Sequence, residues 1–212
     1  MGVRNDNYAI QAMQAKARFL RYDQEELIHR CHLEADGEYL YLTFLSRPYR
    51  ICRRSGHMEQ KREGNWVDGN SFSEVMTILD WLCDSAPRRC ISGRWCNIVS
   101  RSGFHRALQE KEDPYAGIFA AEPEAFAAAC EAMGGIRMPA GDVGYAIELV
   151  DGLRVYIQLW QGDEEFPPRL RCLWDENVLD YLRYETTWYA SALVLERLRE
   201  HMGGMEHGHW AK

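Results

Sequence analysis

GYAIELV (144–150) and LRVYIQLW (153–160), joined by Asp151-Gly152, decide how this chain folds. Two runs rich in β-branched and aromatic residues around an Asp-Gly pair are a hairpin signal. The loop length sets the register. A two-residue loop pairs Val150 with Leu153 and places Glu148 on the face of Val155 and Ile157. A three-residue loop with Gly152 as a left-handed bulge moves the register by one, so that Tyr145, Ile147 and Leu149 share a face with Leu153, Val155 and Ile157. Because a slip of one residue exchanges the faces, the second register keeps a carboxylate out of the core and sets Glu148 opposite Arg154. Arg154, Tyr156, Gln158 and Trp160 then project from the other face, where two large aromatics need a cover or a ligand.

Working outward, LRCLWD (170–175) predicts a further strand, Asp175 a cap for a helix through Leu182, and Thr186 a cap for a last helix bearing Trp188, Ala192, Leu195 and Leu198. Pro123 suits the first turn of a helix that Gly134-Gly135 stops. Upstream, Leu40, Leu42 and Phe44 alternate with Tyr39, Tyr41 and Thr43 in a strand, Ser46-Arg47-Pro48 supplies a turn, and YRICRR returns. Ser71 with Glu74 forms a capping box for a helix whose apolar residues run from Phe72 to Cys83. Asp23 caps a short helix toward Cys31, and Asn5 or Asp6 opens a first helix with Ile10, Met13, Ala17 and Leu20 on its stripe. The polar stretch 55–70 and the aperiodic stretch 86–103 read as loops, with a helical turn around Phe104 to Leu108. The expected fold is α+β: an antiparallel sheet built from hairpins, with helices packed mainly on one face. Residues 1–202 form one domain and 203–212 a flexible tail.

Of the 212 residues, 46% are apolar and 27% charged, and the mean hydropathy is −0.45, values of an ordinary soluble domain. No run approaches the roughly 20 apolar residues that a membrane span requires, and no secretory signal opens the chain, which points to the cytoplasm. Seven widely spaced cysteines, with no C-x2-C pair, suit neither a disulfide framework nor a familiar metal site. The net charge of −7 conceals a basic middle: residues 46–111 carry 12 Lys+Arg against 7 Asp+Glu. Overall acidity argues against general nucleic-acid binding, which needs a dominant basic footprint.

Two places could carry chemistry. Asp163-Glu164-Glu165, followed by Phe166-Pro167-Pro168, puts clustered carboxylates in a restricted loop at the end of the aromatic strand, suited to acid–base work or a hard cation. Arg88, Arg89, Arg94, Arg101 and Arg106, with His105 and the Ser100–Gly103 turn, could line an anion site. His29 and His32 lack a third placed ligand, and no nucleophile elbow, zinc-protease or dinucleotide motif occurs.

GG (134–135) followed by GDVG (141–144), then LWQGDEEFPPRLRCLWD (159–175) and NVLDYL (177–182), resembles the bacterial and archaeal domain of unknown function 3786. YLTFLSRPYRI and NWVDGNSFSEVMTILDWL are compatible, so the resemblance extends over roughly residues 8–200. It implies no established reaction and no known cofactor. Some relatives are linked to cysteine-ligated iron–sulfur modules, which this chain lacks. The matching positions are the glycines, Asp142, Trp160, Asp163, Glu165, Phe166 and Pro167.

The leading expectation is a non-catalytic binding or accessory protein. Its ligand, an anionic small molecule or a partner segment, would meet Arg101, His105, Arg106, Tyr156, Trp160, Asp163, Glu165 and Phe166. The alternatives are an enzyme using the Asp163–Glu165 carboxylates, and a homo-oligomer whose exposed aromatics form the interface.

Overall fold

The structure, a computed structural model, describes residues 3–98 and 114–203. Among these, ten strands form two antiparallel sheets, confirming the α+β class and the hairpin construction but dividing the strands between two sheets. The first sheet runs β1 (Glu34–Ala35), β2 (Tyr39–Phe44), β3 (Arg47–Cys52), β4 (Met58–Arg62) and β5 (Asn65–Val67) in sequence order. The second has the order β6-β10-β9-β8-β7, from β6 (Trp95–Cys96), β7 (Ile136–Arg137), β8 (Val143–Val150), β9 (Leu153–Trp160) and β10 (Arg169–Asp175). Among the described residues the helices are α1 (Val3–Phe19), α2 (Gln24–Cys31), α3 (Phe72–Asp84), α4 (Pro114–Ala121), α5 (Pro123–Ala132) and α6 (Tyr184–His201). One apolar cluster joins residues from both sheets and from all six helices.

The decisive hairpin combines features of both registers. Glu148 faces Arg154, Ile147 faces Val155 and Tyr145 faces Ile157, as the three-residue loop requires. At the tip, however, Val150 pairs with Leu153 across a two-residue turn in which Asp151 and Gly152 both have positive φ. The extra residue is absorbed as a bulge at Leu149 instead of at Gly152. Leu153, Val155, Ile157 and Leu159 are fully buried and Glu148 is exposed. The carbonyl of Leu149 accepts a 2.9 Å bond from the amide of Leu45, at the tip of the β2–β3 hairpin. That tip is Leu45-Ser46, both at positive φ, and not Ser46-Arg47-Pro48: Arg47 already pairs with Phe44, and Pro48 with Thr43. The Ser46 hydroxyl donates to the Met133 carbonyl at the end of α5. Thus the two hairpin tips bind each other and hold the sheets together.

Several local expectations shift. Residues 55–70 contain the β4–β5 hairpin, turned at Glu63-Gly64. Its inward positions include Gln60, buried and bonded by Arg47 and Arg62, so polarity conceals the period. In α1 the buried residues are Ala15 and Phe19, while Ile10, Met13 and Leu20 face outward. Small residues on α1 allow close packing against α3, and that contact, instead of side-chain size, sets the phase. Helix α6 starts at Tyr184, before Thr186, whose hydroxyl donates instead to Asp80 of α3 at 2.5 Å. Trp188 is exposed. Asp175 ends β10 and is followed only by a 3-10 turn, Val178–Asp180. Helix α2 stops at Cys31, with His32 left-handed, before Asp36-Gly37. The Ser71–Glu74 capping box is complete in both directions, and Pro123 opens α5. The expected turn of helix at Phe104 to Leu108, and the tail beyond Gly203, lie outside the described residues.

A buried polar network ties the first sheet to the helices. Glu74 of α3 accepts from the Tyr49 hydroxyl at 2.6 Å, from Arg197 of α6 at 3.2 Å and from the Ser71 amide at 2.6 Å. Burial pushes the Tyr49 hydroxyl well above the ordinary phenol range, with the Glu74 charge adding to it.

Candidate functional site

Strand parity controls the sequence-predicted site. Tyr156, Gln158 and Trp160 of β9 face Leu173, Arg171 and Arg169 of β10, so these six side chains share one face of the second sheet. The middle of that face is covered. Tyr156 is buried, with the Trp95 ring edge-on at 5.4 Å, and its hydroxyl meets the Ala140 amide at 2.9 Å. The segment bearing Ala140 can cross there because position 144 is glycine: a Cβ would stand 2.3 Å from the Ala140 carbonyl oxygen and 3.0 Å from that of Met138. Trp160, at the end of the strand, is only half-buried. The guanidinium of Arg171 lies 5.6 Å from its ring centroid, and Arg169 stands directly across the strand pair. On the same face Arg154 is paired with Glu148 at 3.4 Å, but neither Arg169 nor Arg171 has a carboxylate partner among the described residues.

The acidic loop is a tight turn. The amide of Asp163 donates to the Phe166 carbonyl at 2.9 Å, and its carboxylate accepts from the Glu165 and Phe166 amides at 2.9 and 2.8 Å. Gly162 is required here: its φ is +80°, and a Cβ would lie 2.6 Å from the Phe166 carbonyl oxygen. Asp163, Glu164 and Glu165 are exposed, and the Phe166 ring is 66% exposed at the loop tip. Asp142 accepts the Gln161 amide at 2.8 Å, which anchors the loop to the start of β8. Among the described residues no three His, Cys, Asp or Glu side chains converge as metal ligands.

The arginine stretch divides. Arg89 is a structural cation: its side chain is 5% exposed, ion-paired to Asp151 at 2.6 Å and bonded to the Ala86 and Arg30 carbonyls. Arg94 pairs with Glu176, and Arg88 is exposed. Arg101, His105 and Arg106, with the Ser100–Gly103 turn, lie outside the described residues. The irregular segment before β6 is pinned by Asp175, which accepts the amides of Ser92, Gly93 and Asn177. Burial alone would raise that carboxyl, but the three amides outweigh it and hold it below the usual range.

Sequence reasoning passed over a second place. On the outer face of the first sheet, Tyr39, Tyr41 and Trp66 form a row with ring centroids 6.2 and 6.1 Å apart. Arg50 lies between Tyr39 and Trp66, at 4.2 and 4.9 Å, and is itself paired with Glu59. Beside this row a cleft of about 450 Å3 runs between α2, the first sheet and the Asp151 hairpin tip. The outward alternation of Tyr39 and Tyr41 was visible in the sequence. The contribution of Trp66 was not, because its strand was hidden in a polar stretch.

Residues 23–197 match the family model described as Domain of unknown function (DUF3786). No curated protein and no solved structure matches.

Proposed function

We propose that this chain, which belongs to the DUF3786 family of domains of unknown function, is a non-catalytic cytosolic binding protein for an anionic small molecule or an acidic partner segment. The observation that carries this reading is the pair Arg169 and Arg171, unmatched by a carboxylate among the described residues and set beside the half-buried Trp160 on one sheet face. An arginine fork recognises carboxylate or phosphate through two parallel hydrogen bonds, and a flat indole beside it adds apolar contact. The neighbouring Asp163, Glu164 and Glu165 favour ligands small enough to reach the arginines without crossing the acidic loop. Phe166, exposed at the tip of that loop, supplies an apolar edge.

Titration with citrate at low ionic strength, read by tryptophan fluorescence, tests the proposal. Citrate is expected to change the emission saturably, the change to disappear in Trp160→Phe, and affinity to fall with added salt. Replacing Arg169 or Arg171 by Gln is expected to weaken binding about tenfold or more, since a charge-assisted hydrogen bond contributes about 1.5–3 kcal/mol. A citrate response unchanged in the Arg169→Gln/Arg171→Gln variant, or no response at all, would reject the reading.

A further inference from the structure

We infer that the cleft beside the Tyr39–Tyr41–Trp66 row is a second binding site, and that its ligand is a neutral carbohydrate. The site is separate from the arginine face and does not depend on it. Its walls bring together Tyr41, Trp66, Lys61, Thr43, Glu34 and Asp151 from four parts of the chain, and its volume of about 450 Å3 lies in the range of small-molecule sites, roughly 300–1,000 Å3.

Charge narrows the ligand class. Asp151 is neutralised by Arg89 and Glu148 by Arg154, which leaves Lys61 and Glu34 as opposed charges of the wall with no ion-pair partner among the described residues, beside the imidazole of His32. A polyanion gains little there. A cation is disfavoured for another reason: the Arg50 guanidinium and the Lys61 ammonium already stand 4.9 and 5.7 Å from the Trp66 ring, so a further cation is repelled. A neutral ligand is spared both repulsions, and among the described residues no cation stands over the ring of Tyr41, which lines the cleft.

Ring geometry narrows it further. The planes of Tyr39 and Tyr41 are inclined at 46°, and those of Tyr41 and Trp66 at 50°. Of these rings Tyr41 and Trp66 line the cleft, and at 50° no single flat ligand can stack on both, whereas a thicker, saturated ring can meet one with its face and the other with its edge. A pyranose presents C–H groups to such aromatic faces and hydroxyls around its rim. The half-exposed rings can receive the former, and the Glu34 carboxylate, Thr43 hydroxyl and Lys61 ammonium can bond the latter.

The test is saturation-transfer NMR of the intact protein with glucose, galactose, mannose, N-acetylglucosamine, maltose and cellobiose, each to about 10 mM, a range that detects even weak affinity. At least one sugar is expected to bind saturably, with its ring C–H protons receiving the strongest transfer. Trp66→Leu is expected to lower affinity at least tenfold. Glu34→Gln, an exposed change on a two-residue edge strand that leaves the core untouched, is expected to lower it several-fold. The Arg169→Gln/Arg171→Gln variant is expected to bind the sugar as the parent does, so failure of the anion site and failure of this one are told apart. Absence of saturable transfer from all six sugars, or transfer unaffected by both Trp66→Leu and Glu34→Gln, would overturn the inference.

Discussion

Replacing Glu74 by Gln tests whether the buried network holds the first sheet to the helices. The Glu74 and Arg197 side chains are 7% and 4% exposed, so the change removes a charge from one partner while the other stays buried. The amide keeps one acceptor where the carboxylate had two. It therefore cannot serve the Ser71 amide at one oxygen and Tyr49 with Arg197 at the other. Breaking a buried pair costs about 3–5 kcal/mol. Glu200, 3.4 Å from Arg197 and partly exposed, recovers some of this, which puts the expected loss at about 3 kcal/mol. For a chain of this size that corresponds to a fall in Tm of about 6–12 °C. Urea unfolding followed by circular dichroism measures the loss directly, provided the slope of the transition is unchanged. Arg197→Met should cost a similar amount by leaving Glu74 unpaired. The double variant Glu74→Gln/Arg197→Met, with no orphaned charge, should be no less stable than either single one, a coupling of about 3 kcal/mol. If the two losses simply add, the pair does not act as a unit and the reasoning is wrong.

Asp175 makes the fold acid-sensitive. Its carboxyl is held below its unfolded value, so the stabilisation is present above about pH 4 and is lost as pH falls through the folded value. Asp175→Asn should cost about 1.5–3 kcal/mol near neutrality and flatten the acid limb of the stability–pH curve; parallel curves for parent and variant would contradict this. Thiol reactivity should follow burial. Burial pushes Cys83 up to about 11 and Cys130 up to about 12, whereas a hydrogen bond from the Ser55 hydroxyl draws Cys52 down against weaker desolvation. With iodoacetamide at about pH 8, mass spectrometry should find Cys52 and the exposed Cys90 modified first and Cys83 and Cys130 last, since a thiol near 11 is only about one-thousandth thiolate. Early modification of Cys130 in the folded protein would count against its placement.

The aromatic half of the candidate anion site was legible because strand parity is a local property; its arginines were not, since the sequence pointed to Arg101, His105 and Arg106, which lie outside the described residues, and passed over Arg169 and Arg171. Once Glu148 was assigned away from the core, Tyr156 and Trp160 had to share the opposite face, and the structure places Arg169 and Arg171 there through the antiparallel register of β10. The cover over Tyr156 was not legible. Trp95 arrives from a segment without periodicity, and Ala140 approaches only because Gly144 lacks a Cβ. The roles of charged residues were equally hidden. Arg89, read as an anion-site arginine, is buried against Asp151, while Asp175, read as a helix cap, holds three amides across separate segments.

By itself the sequence determined the α+β class, the Asp151-Gly152 hairpin with the inward parity of β9, and the complete capping box at Ser71, because each follows from side-chain period or backbone chemistry within a few residues. Tertiary structure alone decided that there are two sheets and where they meet. The bulge at Leu149 turns its carbonyl toward the Leu45 amide, and a left-handed Leu45-Ser46 turn delivers that amide from a hairpin about a hundred residues earlier. Local periodicity carries no information about such a pairing, because it forms only where the chain's separate hairpins pack around one core.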